Sequence, residues 1–189
     1  MKKIYKLLLI LPLFTPFLLS AQTITLLEED FEGATGSWNT TGNAVTNSWI
    51  VNICAGNGPS DPGSNSAYIT KGGPDAGCGA TGMIQYNYEN ASSGTPEFTI
   101  MYTTVDATCA SNLEFTIDYK LVGEGYPGYP PTILDYGEIV YSTNGGSTWT
   151  TITDEFYNIP NWTTATVPIP ASLNGTTIEF GILWNVDQS

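Results

Sequence analysis

Apolar residues in this chain recur at every second position, a spacing that suits strands and starves helices. In "LEFTIDYKL", Leu113, Phe115, Ile117, Tyr119 and Leu121 share one face, and Glu114, Thr116, Asp118 and Lys120 share the other. In "TIEFGILW", Ile178, Phe180, Ile182 and Trp184 line one face. Such segments are half-buried strands, wet on one side and packed on the other. "SWIVNI", "SAYIT", "MIQYNY", "FTIMYTTV", "GEIVYS", "TWTTIT" and "TTATVPI" read as further strands, separated by clusters of Gly, Pro, Asn and Ser. No sustained 3.6-residue period appears after the first 21 residues, so no helix beyond a turn near "PASL" is expected. About ten short strands at this spacing predict an all-β, two-sheet antiparallel sandwich of jelly-roll type. The chain stops at "NVDQS", straight after a strong strand, so the final closing strand is expected to be missing and further domains to follow.

Residues 1–21 read as a secretory signal peptide. Lys2, Lys3 and Lys6 form a basic start, an apolar run interrupted by proline follows, and Ala21 supplies the small residue before the cleavage point. Residues 22–189 then form a single domain, exported to the extracellular space or cell surface, with no membrane insertion once the signal is cut. Only Lys71 and Lys120 remain against 18 acidic residues, a formal charge of −16, and the chain has neither Arg nor His. Such a surface repels phosphate backbones, which excludes nucleic acid as a partner.

Cys54, Cys78 and Cys109 stand in a compartment that permits disulfides. A Cys54–Cys78 bridge is the favoured pairing among three, and closing that Gly/Pro/Asn-rich loop is worth about 3 kcal/mol in the chain-entropy picture. "YSTNGGSTWT", Tyr141 to Thr150, has the Ser-x-Asn-x-Gly-x-x-Trp spacing of the Asp boxes of sialidases, with Asn for Asp. A sialidase needs arginines to hold the substrate carboxylate, and none is present. The motif therefore reads as a hairpin, with Asn144 and Gly145 at positive φ and Trp149 folded onto its apolar face.

Without His there is no Ser-His-Asp or Cys-His arrangement and no His-ligated metal. Without Arg or a Gly-rich loop ending in Lys, ordinary phosphoryl transfer is excluded. A carboxylate pair survives, and Asp135 and Glu138 are the nearest candidates for glycosidase work. Three residues apart on a strand, they point to opposite faces. No catalytic residue is therefore assigned. "LLEEDFEG" offers a calcium site instead: strand alternation places Asp30 and Glu32 on one side, with Asn65 or the Ser66 carbonyl of "SNSAYI" as donors from a neighbouring loop. An acidic edge that blunts association between sheets accounts for the same residues equally well. The Pro-rich loop Val122–Gly137 displays Tyr126 and Tyr129, either as a platform for sugar rings or as packing for its own prolines. The tryptophans, in or beside strands, read mostly as core.

"DFEG", "NSWIVN", "SNSAYIT", "LEFTIDYKLVGEG" and "DYGEIVYSTNGGSTWT" together resemble the secreted bacterial modules of the MAM-like and cleaved-adhesin-like group, which have a concanavalin-type sandwich. The resemblance implies a structural calcium at Asp30 and Glu32, completed by an Asp of a last strand. It also implies a non-catalytic adhesion or binding module for an extracellular glycan or surface protein. A glycoside hydrolase or its auxiliary domain, and a structural spacer, are the alternatives.

Overall fold

The computed structural model describes residues 22–33, 37–45, 47–52, 65–71, 95–121, 123, 125–126 and 132–187. The described chain is all-β, with antiparallel pairing throughout. Its strands are β1 (Asn39–Gly42), β2 (Asn47–Asn52), β3 (Ser66–Lys71), β4 (Glu97–Asp106), β5 (Glu114–Leu121), β6 (Gly125–Tyr126), β7 (Thr132–Ile133), β8 (Tyr136–Ser142), β9 (Thr150–Thr151), β10 (Ile159–Pro168) and β11 (Thr177–Val186). One 3-10 turn, Ala171–Leu173, falls in the "PASL" stretch.

A five-stranded sheet runs β1-β4-β11-β8-β9, and β10-β5, β2-β3 and β6-β7 form three pairs. The long ladder between β4 and β11 extends from Thr177 opposite Asp106 to Val186 opposite Glu97. Alternation sorts its side chains. Ile178 and Phe180 of β11 and Ile139 of β8 turn inward with Leu173 to form the core cluster. Phe115 and Ile117 of β5 pack on that cluster, and the Phe115 and Phe180 rings lie 4.4 Å apart. A fully buried side chain such as Ile139 contributes about 1.5–3 kcal/mol by leaving water. On the wet side of β5 and β10, Thr116 meets Thr166 and the Thr164 hydroxyl donates to the Asp118 carboxylate.

The start of the fold departs from expectation. Residues 22–33 contain no strand, and Phe31 adopts φ 60°, so strand alternation does not order Asp30 and Glu32. The hairpin with the Asp-box spacing also differs in detail. Gly145 and Gly146, not Asn144, carry the positive φ values, 69° and 77°. Ser142, almost fully buried, accepts from Asn144 N (3.2 Å) and Gly146 N (3.0 Å) and donates to Asn144 Oδ1 (2.9 Å). Trp149 then packs edge-on against Tyr102 of β4, with ring centroids 5.1 Å apart. Of the tryptophans, Trp184 is buried, whereas Trp38, Trp49, Trp149 and Trp162 are half-buried.

Candidate functional site

Three carboxylates shape the turn before β1. Glu29 accepts from Phe31 N (2.8 Å) and from Trp38 Nε1 (2.9 Å), and the Phe31 and Trp38 rings lie 6.0 Å apart. Asp30 Oδ1 accepts from Glu32 N (2.9 Å). The left-handed Phe31 throws Glu32 toward the entrance of β3, where its carboxylate takes Asn65 N and Asn65 Nδ2, the latter at 3.4 Å. Glu32 and Asn65 thus meet across 33 positions of sequence, as calcium ligands from two loops would have to. Ser66, the next residue, is buried, and its Oγ has no hydrogen-bond partner. In this arrangement Asn65 gives donors to Glu32, so a cation there has to displace those N–H groups and take the Asn65 Oδ1 instead. Among the described residues no group of three or more His, Cys, Asp or Glu converges.

The other anticipated sites fare unevenly. Cys54 and Cys78 lie outside the described residues, as does Tyr129, and the side chain of Tyr126 is likewise not described. The Tyr126 backbone pairs with Thr132, which makes part of the anticipated loop a short ladder. Cys109 is exposed with a free thiol. Asp135 is wholly buried on the side of the core, whereas Glu138 points outward, half-buried, and accepts from Thr151 Oγ1 (3.1 Å). The two carboxylates do not flank one bond. Burial pushes the Glu138 carboxyl above its ordinary range, the Thr151 hydroxyl opposes this, and the Glu155 charge adds to it. Tyr136 is raised by burial and by the same pair of acids, Glu138 and Glu155.

A site that alternation alone does not single out lies between β1, β2 and β4. Thr40, Thr41, Gly42, Ala44, Asn47, Ser48, Trp49 and Thr99 line a half-open cleft of about 230 Å³. Two local devices hold it. The Asn43 side chain clasps β4 by accepting from Phe98 N (2.7 Å) and donating to the Pro96 carbonyl (3.3 Å). The Trp49 indole donates to the Thr99 carbonyl (3.3 Å), which fixes the ring across the gap between β2 and β4. The lining offers hydroxyls, one carboxamide and one indole, with no charged side chain. That chemistry suits a neutral polyhydroxylated ligand better than an ion or a lipid. The sequence signal was Trp49 in "NSWIVN", one of the tryptophans that read mostly as core; Asn47 carried no signal. No family model matches this chain, and neither curated proteins nor solved structures give a match.

Proposed function

We propose that this chain is an exported, non-catalytic jelly-roll module that binds glycans at an extracellular surface and is stabilised by calcium. The observation that carries the reading is the Trp49 cleft, where an indole held rigid by its own hydrogen bond stands among threonine, serine and asparagine side chains. A ring fixed in this way stacks on a sugar face with little loss of conformational freedom. Calcium enters through the turn, where the Glu32 carboxylate meets Asn65 at the entrance to β3, with Asp30, bonded to Glu32 N, and Ser66 as the further donors. The surface protein, the further domains and the attachment to a larger secreted protein belong to the same proposal. Catalysis by Asp135 and Glu138 is disfavoured by their opposite faces.

Binding of the chain to a glycan array, followed by calorimetry on the strongest hit, tests the reading. Trp49→Ala is expected to weaken that binding about threefold to tenfold, the worth of one aromatic contact, while unfolding stays cooperative. Unchanged affinity in the variant removes the cleft, and an array with no hits removes the glycan.

A further inference from the structure

Consecutive residues line the Trp49 cleft, which the flat face of a sheet does not allow. Thr40, Thr41 and Gly42 follow one another on β1, and Asn47, Ser48 and Trp49 follow one another on β2. Side chains alternate between the two faces of a strand, so a cavity bordered by three residues in a row meets that strand along its edge. Strand β1 pairs with β4 and β2 with β3, and among the described residues no ladder joins β1 to β2. The cleft is therefore a slot between two strand edges. Thr99 of β4, opposite Gly42, lies between them, and its carbonyl anchors the Trp49 indole (3.3 Å).

One end of the slot is blind. Strands β1 and β2 are consecutive in the chain, so their edges converge where Gly42, Ala44 and Asn47 form the wall. That wall is pinned to β4. Asn43 N and Ala44 N both donate to the Phe98 carbonyl (3.1 Å each), Val45 N donates to Glu97 Oε2 (3.2 Å), and the Asn43 side chain adds its clasp on Phe98 N. The slot is also short, since Thr40 to Gly42 span about 7 Å of strand. Its volume of about 230 Å³ lies under the roughly 300–1,000 Å³ that encloses a drug-sized ligand. Such a space suits one sugar ring with its substituents. A chain held by its middle needs a trough open at both ends and contacts along several units, whereas the described lining has a single aromatic ring, that of Trp49. We infer that, within the glycan reading above, the cleft takes the terminal unit of a glycan and leaves the rest of the chain in solvent.

The test separates ends from lengths. The full chain is titrated calorimetrically with the strongest hit of the glycan array as a series sharing one end: the methyl glycoside of the terminal unit, then unbranched chains of increasing length. Affinity per glycan molecule is expected to stay within about threefold across the series, with one protein bound per glycan however long it is. The indole N–H resonance of Trp49, assigned by its absence from Trp49→Phe, is expected to shift alike with the methyl glycoside and with the longest chain. An affinity that climbs beyond threefold with length, or several protein copies on one unbranched chain, overturns the inference and leaves the glycan reading standing. A methyl glycoside that binds without moving the Trp49 resonance overturns it as well, because the end unit then sits elsewhere. An array with no hits removes the glycan reading itself and end recognition with it.

Discussion

At the scale of single residues, the hairpin of Tyr141 to Thr150 shows how one hydroxyl organises a turn. Ser142 Oγ is the hub, accepting from two backbone N–H groups and donating to Asn144, whose own carboxamide then fixes Thr148 through Thr148 N (3.0 Å) and Thr148 Oγ1 (2.9 Å). Because Ser142 is buried, water cannot replace it. Ser142→Ala strands two amides and is expected to cost about 1–3 kcal/mol. Urea unfolding of the variant checks this, and an unchanged midpoint would mean that the turn is held by Gly145 and Gly146 alone. The spacing Ser-x-Asn-x-Gly made this turn legible in the sequence. The shift of the positive φ values by one residue was not, because Asn144 uses its side chain to bridge to Thr148 and leaves the left-handed positions to the two glycines.

At the scale of elements, β11 is the strand on which the main sheet depends, since it pairs with β4 on one side and β8 on the other. At its centre Gly181 makes room for its neighbours. A Cβ there would stand 2.8 Å from Ile100 Cγ2 and 3.1 Å from both Met101 O and Tyr102 Cβ. Gly181→Ala is expected to lose about 1–3 kcal/mol through overpacking, despite the better strand propensity of alanine. Equilibrium denaturation measures it, and a more stable variant would show that β4 yields. Strand β5 was legible because both of its faces obey the two-residue period, and β11 because Ile178, Phe180, Ile182 and Trp184 recur on one face. Strand β1 was not, because "NTTG" carries no apolar residue and is exposed along its length; backbone pairing and the Asn43 clasp hold it. "TWTTIT" shrinks to Thr150–Thr151 because the Thr153 hydroxyl takes Ile139 N (3.0 Å) in place of a ladder carbonyl. The acidic turn was legible in composition and illegible in geometry. Strand alternation had ordered its carboxylates, whereas a left-handed Phe31 does so, and Asn65, expected there as an oxygen donor to calcium, gives its N–H groups to Glu32 instead.

At the scale of the molecule, charge decides which conditions keep the domain folded. A chain that carries −16 beyond residue 21 repels itself, and simple salt relieves part of that repulsion by screening. Calcium bound at a defined site does something screening cannot, since it stabilises the folded state by mass action. At a hundredfold excess over its dissociation constant, one ion adds about 2.7 kcal/mol. For a chain of this length that corresponds to a midpoint roughly 5–11 °C higher. Thermal unfolding in calcium is therefore expected to exceed unfolding in sodium chloride of equal ionic strength by an increment of that order. Asp30→Ala/Glu32→Ala removes two negative charges, so screening alone predicts a variant at least as stable as the wild type in chelator. Site binding predicts in addition that the variant loses one calcium increment. A wild-type midpoint that sodium chloride raises as far as calcium does would reduce the acidic turn to surface repulsion. A calcium increment that the variant keeps in full would instead mean that the stabilising ion binds elsewhere than at the turn.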